Sequence, residues 1–155
     1  GDVRFLFIGG GKLREQLDAR ARALGLANII CRPYVERTQL AQSLAVSDIH
    51  WLSLRPELEG MIVPSKFYGI AAAGRPAIFV GAGNGEIAQL LADHTAGLHC
   101  PIGDAATLAD QIERLAADPA LRATLGTNGR RAIDAGLNQR GALDAWTSLI
   151  RRLTA

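Results

Sequence analysis

A chain of 155 residues, 48% of them hydrophobic, has the length of one domain and enough apolar side chains to form a core. The formal net charge of +2 comes from basic and acidic residues mixed along the chain, and aromatic residues make up only 5%, which excludes a basic, aromatic-lined surface for nucleic acid. No apolar run approaches the ~18 residues of a membrane span, and Cys31 and Cys100 lack the spacing of a metal site. We therefore expect a soluble, cytoplasmic protein that binds no metal.

Short apolar runs alternate with helical patterns along most of the chain. The predicted strands are 3–8, 28–31, 48–54, 77–80 and 97–100, and the predicted helices are 12–24, 38–46, 64–73 and 86–92, followed by helices from 104 onward. Strands that alternate with helices predict right-handed βαβ crossovers. The fold class is therefore α/β, with a Rossmann-like parallel sheet covered by helices on both faces. Ligands of such sheets bind beyond the carboxyl ends of the strands.

The first glycine-rich loop, Gly9-Gly10-Gly11, connects a predicted strand to a predicted helix. Because glycine lets the backbone approach an anion, Gly10 and Gly11 are candidate phosphate contacts. The loop lacks the GxGxxG spacing and the acidic residue of a dinucleotide site. The alternative interpretation is a tight turn without a ligand.

A second candidate lies where Pro64 and Ser65 open a predicted helix. The free amide groups of a helix start favour anions, and the same dipole opposes a cation such as Lys66 in the first turn. A phosphate bound at the helix start would explain a lysine in this otherwise unfavourable position. The alternative is an ordinary helix start with Lys66 in water.

The remaining polar residues give weaker signals. Gly81-Ala82-Gly83-Asn84-Gly85-Glu86 is another glycine-rich loop at a strand end, but the helix dipole alone explains its acidic residue. The three histidines share no spacing with Cys or Asp that predicts a metal site or a catalytic triad. His50, within an apolar strand, is predicted to be half-buried and hydrogen-bonded.

The order of these segments resembles a known family. The matching segments are Gly9-Gly10-Gly11, Leu24-Gly25-Leu26-Ala27-Asn28-Ile29, Ser47-Asp48, Pro64-Ser65-Lys66, Ala72-Ala73-Gly74-Arg75-Pro76, Gly85-Glu86-Ile87-Ala88, Ala96-Gly97 and a long helical tail. Together they resemble the carboxyl-terminal domain of the retaining GT-B glycosyltransferases of family four, the glycosyl transferases group 1. The resemblance implies one half of a GT-B fold that binds a nucleotide diphosphate sugar.

The resemblance also implies roles for individual residues. In the family two glutamates bind the donor sugar and the ribose; counted back from Gly74, the second falls on Gly69 and the first near Met61, with Glu59 two residues earlier. The implied assignments are Ser65, Lys66, Gly10 and Gly11 for the diphosphate, Glu59, Gly60 and Met61 for the donor sugar, and Tyr34, Val35 and Gly69 for the nucleobase and ribose. No catalytic residue is assigned.

Parts of the family's machinery have no counterpart in residues 1–155. The resemblance implies an amino-terminal acceptor domain, and a preceding strand–helix unit whose Arg and Lys clamp the diphosphate, both outside this chain. The chain is therefore expected to be a piece of a longer, bacterial protein that lies in the cytoplasm and reaches the inner membrane surface through the other domain. Its partners would be that domain and the donor, with no cofactor and no metal.

The implied function is transfer of a sugar from a nucleotide diphosphate sugar to a polysaccharide, lipopolysaccharide or lipid-linked acceptor, with retention of anomeric configuration. Two alternatives stay open. One is a non-catalytic nucleotide-binding or interaction module of the same type, since Gly69 replaces an acid. The other is a nucleotide-sugar epimerase of the same architecture, although no suitable pair of acidic and histidine groups is evident at the strand ends.

Overall fold

A computed structural model describes residues 3–154 of the chain, which divides into two compact units, Gly1–Ser43 and Leu44–Ala155. Strands and helices alternate in the predicted order, and all strand pairs are parallel. The α/β class is thereby confirmed. The hydrogen-bonded strands form two sheets, one in each unit.

The first unit is a single βαβ crossover. Strand β1 (Phe5–Ile8) is followed by helix α1 (Arg14–Ala23) and strand β2 (Ile29–Arg32), and β1 pairs with β2 so that Phe5 lies beside Ile29. Ala21 of α1 is its only fully buried hydrophobic residue among those described. This unit therefore has a thin core.

The second unit contains most of the core. Its strands are β3 (His50–Ser53), β4 (Ala77–Val80) and β5 (Gly97–Cys100), in the spatial order β3-β4-β5. The helices of the chain after α1 are α2 (Leu40–Ala45), α3 (Lys66–Ala72), α4 (Glu86–His94), α5 (Ala105–Ala117), α6 (Pro119–Asp134) and α7 (Gln139–Thr154). The central strand β4 is apolar throughout, as a strand between two layers of helices requires.

The residues of β4 alternate between two packing faces. Phe79 packs with buried residues of α3 and α4, whereas Ile78 packs on the other face with Leu115 of α5 and Leu125 of α6. This alternation follows from the period of two in a strand. Helices therefore cover both faces of the three-stranded sheet, which confirms the predicted layering.

Two helix starts are determined by local sequence. The Asp104 carboxylate accepts a hydrogen bond from the Thr107 amide before α5, and the Asp118 carboxylate accepts one from the Leu121 amide before α6, which has Pro119 at its first position. These are the side-chain caps and the proline position that favour a helix start. The predicted helical region from 104 onward is therefore confirmed, with α5 and α6 beginning at these two caps.

Several elements are shorter than the sequence pattern predicted. The helix predicted at 38–46 begins as the 3-10 turn Arg37–Gln39, the strand predicted at 48–54 forms only over β3, and the helix predicted at 64–73 is α3. At α3 the Phe67 amide donates to the Pro64 carbonyl, an i to i−3 bond, so the first turn is tighter than an α-helix.

Helix α7 is amphipathic, and its apolar stripe is exposed. Leu143, Trp146, Ile150 and Leu153 recur at helical spacing, and each is more than half exposed. These side chains therefore add little to the core of the second unit. None of the helices within residues 3–154 combines the length and apolar character needed to cross a membrane.

Candidate functional site

The carboxyl ends of β3, β4 and β5 bring three loops to one edge of the second unit. The Leu54 amide donates to the Val80 carbonyl (3.1 Å), and the Gly81 amide donates to the Cys100 carbonyl (3.2 Å), so the sheet continues one residue beyond its strands. The loops 54–65, 81–85 and 101–104 leave from this edge. It is the edge at which parallel sheets bind ligands.

The start of α3 presents two predicted diphosphate contacts. Ser65 and Lys66 are exposed, while the next residue, Phe67, is buried and anchors the helix. The Ser65 side chain makes no capping hydrogen bond, and the Tyr68 amide bonds instead to the Ser65 carbonyl (3.2 Å). The Ser65 hydroxyl and the Lys66 ammonium are therefore free to face an anion.

Glu59 follows the 3-10 turn Pro56–Leu58 and lies against the loop at Gly85. A Cβ atom at Gly85 would overlap the Glu59 carboxylate. Within the described residues, Glu59 Oε1 is buried and has no hydrogen-bond partner. Leaving a buried acceptor unpaired costs about 1–3 kcal/mol. A ligand hydroxyl donating to this oxygen would remove that cost, which makes Glu59 the best candidate for a sugar contact.

Gly60 and Met61, the other predicted sugar contacts, form a turn next to Glu59. Gly60 has a φ of 75°, a left-handed conformation that favours glycine. The Met61 and Ile62 amides both donate to the Leu58 carbonyl at 3.1 Å, and the Met61 side chain is 74% exposed. The turn therefore uses the Met61 amide for its own structure.

Tyr68 and Glu86 form a polar contact that the sequence analysis did not identify. The Tyr68 hydroxyl donates to Glu86 Oε1 (3.2 Å), joining α3 to the start of α4. Burial and the neighbouring Glu86 carboxylate raise the pKa of Tyr68. The available signal was the position of Gly81-Ala82-Gly83-Asn84-Gly85-Glu86 at a strand end, but nothing local indicated its partner.

Gly69, the predicted ribose position, lies on a packed face of α3. A Cβ atom there would lie 2.9 Å from Leu44 Cδ1. A glutamate at this position would therefore require Leu44 to move. In this structure Gly69 contributes to the packing of α3. The carboxylates of Glu59 and Glu86 lie at this edge.

The first unit brings together predicted residues from two groups. The Tyr34 hydroxyl donates to the Gly10 carbonyl (3.4 Å), and the Tyr34 ring lies over Gly9 and Gly10. Arg14, which sequence reasoning missed, donates from Nη1 to the Gly9 carbonyl (2.8 Å) and supports the loop from α1. The predicted phosphate loop and the predicted nucleobase residue are therefore neighbours.

The last two predicted residues of this unit make fewer contacts. A Cβ atom placed on Gly11 would have no neighbouring atom within 4 Å, and Val35 is exposed. Both residues are accessible to a ligand. Neither position is required by the packing of the unit.

The histidines and cysteines take structural positions. His50 Nε2 lies 2.8 Å from the Leu44 carbonyl and therefore donates to it, and burial lowers the pKa of His50. The predicted half-buried, hydrogen-bonded histidine is confirmed. Cys31 and Cys100 are free thiols, Cys100 buried and Cys31 half-buried. Among residues 3–154, no three His, Cys, Asp or Glu side chains lie close enough together to hold a metal ion.

Comparison with known proteins places these observations in a family. A family model described as glycosyl transferases group 1 matches residues 1–118. The chain is 31% identical over 114 residues to the probable glycosyltransferase WbjE of Pseudomonas aeruginosa, a match covering 72% of this chain and 28% of that protein. The chain thus spans less than a third of the length of this relative.

Two solved structures share the fold. One is sucrose-phosphate synthase (tll1590) from Thermosynechococcus elongatus, with a TM-score of 0.76 and 23% identity, covering 96% of this chain and 38% of that one. The other is WaaG, a glycosyltransferase involved in lipopolysaccharide biosynthesis, with a TM-score of 0.70 and 19% identity, covering 95% of this chain and 37% of that one. At these identities the likeness concerns the fold.

Proposed function

Because this chain belongs to the glycosyl transferases group 1 family, we propose that it is the donor-binding domain of a retaining glycosyltransferase. It holds a nucleotide diphosphate sugar whose sugar passes to a polysaccharide, lipopolysaccharide or lipid-linked acceptor. The observation that carries the proposal is the buried, unpartnered Oε1 of Glu59 at the ligand edge of a parallel sheet, within the described part of the chain. The family membership and the GT-B type of fold are the premises from which the proposal proceeds.

In this proposal Glu59 accepts a hydrogen bond from a hydroxyl of the donor sugar. The carboxylate lies against Gly85, and its buried Oε1 has no hydrogen-bond partner among the described residues. A hydrogen bond to a charged group contributes about 1.5–3 kcal/mol, more than a neutral one. Glu59 would therefore discriminate sugar-bearing donors from the bare nucleotide, with Gly60 and Met61 forming the adjacent wall.

Ser65 and Lys66 receive the diphosphate. Both are exposed at the start of α3. The ammonium of Lys66 would offset the negative charge that develops on the leaving diphosphate, which is the main electrostatic task in glycosyl transfer from such donors. Positive side chains can perform this task, so the proposal includes no metal and no other cofactor.

The first unit is assigned the nucleotide side of the donor. Gly10 and Gly11 offer backbone amides to the diphosphate, and Tyr34 and Val35 lie in the segment assigned to the base. Arg14 stabilises the Gly9 carbonyl and keeps this loop in place. Gly69 is assigned no contact through its side chain, and the ribose would be held by neighbouring groups.

The proposal requires a second part of the enzyme. WbjE and the two solved relatives are each more than twice as long as the part this chain matches. An acceptor-binding domain, and the Arg and Lys that complete the diphosphate clamp, would be supplied there. The chain alone is expected to bind the donor weakly and to catalyse no transfer. Its site of action would be the cytoplasm, at the inner membrane surface through the other domain.

Titration calorimetry of the chain with UDP, GDP and ADP tests the diphosphate site. Removing a charged contact costs about 1.4 kcal/mol or more, so Lys66→Ala should weaken binding at least about tenfold. Arg152→Ala is the matched control, because Arg152 is an exposed cation on α7 far along the chain from the site. Equal affinity of Lys66→Ala and the native chain would contradict the assignment of Lys66.

The sugar site is tested by comparing each nucleotide with its sugar-bearing form. Glu59→Gln should reduce the affinity for the nucleotide sugar about tenfold and change that for the bare nucleotide little, because only the sugar reaches residue 59. Absence of any nucleotide binding at millimolar concentration, with no sugar transfer by the longer polypeptide, would refute the proposed function. Binding without transfer in the longer polypeptide would support a non-catalytic module instead.

A further inference from the structure

The loop Gly81–Gly85 lies on three side chains that come from different parts of the second unit. Cβ atoms placed on its glycines would meet the Phe79 ring at Gly81, the His99 ring at Gly83 (3.2 Å to Cε1) and the Glu59 carboxylate at Gly85. At each of these three positions, the absence of a side chain lets the loop backbone pack closely against one neighbouring side chain. The loop has no freedom to shift toward the sheet without displacing one of these groups.

His99 is the polar member of this set. It belongs to β5 and lies beside Phe79 of β4, with the ring centroids 6.3 Å apart. His99 Nε2 lies 3.0 Å from the Gly81 carbonyl. Since a carbonyl only accepts, the Nε2 atom carries the proton and donates to it. His99 therefore adds a directional side-chain bond to the first residue of the loop, whose amide donates to the Cys100 carbonyl.

His99 is itself held from the opposite side of the sheet. Gln111 of α5 donates from Nε2 to the His99 carbonyl at 2.7 Å. Phe79, its cross-strand neighbour, is fully buried. The ring is thus attached to a rigid strand, and the loop takes its position from that strand.

The far end of the loop reaches the proposed sugar contact. Gly85 lies against the Glu59 carboxylate, and Glu86 directly after it accepts a hydrogen bond from the Tyr68 hydroxyl (3.2 Å). A displacement of the loop would release both groups. The Gly81–Gly85 loop thus connects the bond from His99 at one end to the contacts of Glu59 and Glu86 at the other.

We propose that His99 is a positioning residue of the donor site: by holding the Gly81–Gly85 loop, it keeps Glu59 in place for the donor sugar. It touches neither the sugar nor the diphosphate and acts through Gly81 and Gly85. This inference rests on the proposed function, because it assigns His99 a task only if Glu59 binds the sugar.

The test compares His99→Leu, His99→Gln and the control His94→Leu, which alters an exposed histidine at the end of α4. Two quantities are measured on the chain: hydrogen exchange of the Gly85 amide, which donates to the Ala82 carbonyl within the loop, and the affinity for UDP-glucose, GDP-mannose and ADP-glucose beside that for UDP, GDP and ADP. Leucine removes the hydrogen bond and keeps apolar bulk. Glutamine can still donate from its Nε2 atom to the Gly81 carbonyl.

In His99→Leu we expect exchange of the Gly85 amide to accelerate about tenfold or more, with the amides of β4 unchanged, because loss of one anchoring hydrogen bond lowers the cost of local opening. Affinity for the nucleotide sugar that binds the native chain should fall about tenfold, while affinity for the bare nucleotide stays within about threefold. His99→Gln should restore both quantities to within about threefold of the native chain. His94→Leu should change neither.

The two possible failures are distinguishable. If the native chain binds none of the six nucleotides and the longer polypeptide transfers no sugar, the proposed function fails and this inference fails with it. If only the longer polypeptide is active, the same variants are compared in it. If the native chain binds but His99→Leu leaves loop exchange or the preference for the sugar-bearing form unchanged, only the role of His99 is overturned. Equal losses of sugar-bearing and bare nucleotide, accompanied by faster exchange throughout the sheet, would also overturn it by showing a general structural role.

Discussion

The two glycine-rich loops look alike in the sequence but use glycine for different reasons. Gly9 in the first loop has a φ of 120°, which other residues rarely adopt. In the second loop Gly81, Gly83 and Gly85 have no such φ, and each instead lies where a side chain approaches closely. A cluster of glycines can therefore be required by a positive φ or by a neighbouring side chain that leaves no room for a Cβ atom. The sequence does not distinguish these two reasons, whereas the backbone angles and contacts of the structure do.

The loops also differ in what supports them. The ring against the first loop, Tyr34, is 78% exposed, so it can move aside. The ring beneath the second loop, Phe79, has no exposed surface. We therefore expect an added methyl group to be least tolerated at Gly81, which lies on the Phe79 ring.

The largest effect is expected for Gly81→Ala. The added methyl group would overlap the Phe79 ring, which cannot move within a close-packed core. Overpacking of this kind costs about 1–3 kcal/mol, and we expect a value near the upper end. Urea unfolding of the chain measures it. A decrease in the free energy of unfolding below about 0.5 kcal/mol, as for an ordinary surface substitution, would show that close packing against Phe79 does not require glycine at position 81.

Gly9→Ala should have the next largest effect, with Gly11→Ala as its control. Alanine at Gly9 must adopt a positive φ, which costs about 1–3 kcal/mol. Alanine at Gly11 meets no atom within 4 Å, and should change stability by less than about 0.5 kcal/mol. Unfolding curves of the two variants provide the measurement. Equal effects would remove the conformational explanation for the first loop.

Gly85→Ala should affect binding more than stability. Its methyl group would meet the end of a flexible side chain, the Glu59 carboxylate, which can swing away at little cost. Displacement of Glu59 should weaken nucleotide-sugar binding about tenfold, or about 1.4 kcal/mol, in calorimetric titration. Gly83→Ala serves as a comparison within the same loop, since its Cβ atom would lie 3.2 Å from Cε1 of the half-buried His99 ring. If Gly85→Ala lowers stability as much as Gly81→Ala, Glu59 is held more rigidly than its contacts indicate.

The smallest effect is a pH dependence confined to the second unit. Burial lowers the pKa of His50 below its ordinary value of 6.5, so the unfolded chain binds the proton more readily than the folded one. The contribution of His50 to the free energy of unfolding is therefore fully present above about pH 6.5. It declines as the pH falls from that value toward the lower pKa of the folded state.

Trp51, beside His50 in β3, is a fluorescent reporter for this unit. Urea unfolding near pH 7.5 and pH 5.5 should show lower stability in acid. His50→Gln can still donate to the Leu44 carbonyl but does not titrate in this range, so its loss of stability should be smaller. An identical pH dependence in both proteins would show that other groups are responsible.

Much of the fold followed from local patterns. The order of strands and helices, the parallel pairing and the caps at Asp104 and Asp118 depend on residues close together in the chain, and the structure contains all of them. Strand ends were less accurate: β3 begins two residues later and ends one residue earlier than the predicted strand 48–54. The likeness to a glycosyltransferase domain rested on the order of the loops and is confirmed by the family match.

The site was predicted only in outline. The sequence indicated Glu59, Ser65 and Lys66 because their order and spacing resemble those of the family. For Glu59 the structure adds a physical observation, the buried and unpaired Oε1. All the assigned roles stay predictions: those of Glu59, Gly60 and Met61 toward the sugar, of Ser65, Lys66, Gly10 and Gly11 toward the diphosphate, and of Tyr34, Val35 and Gly69 toward the base and ribose. The contact between Tyr68 and Glu86 could not be foreseen, because the two residues lie on different helices that only the sheet brings together.

By itself, the sequence determined the alternation of elements, the apolar character of β4 and the family, since each depends on short-range periodicity and on the order of segments. The tertiary structure alone decided which glycine meets which side chain, that Gly69 faces Leu44, and that His99 bonds to Gly81. Most of these contacts join residues of different strands, helices and loops. Their geometry is created when the strands pair and the helices pack, and no local pattern encodes it.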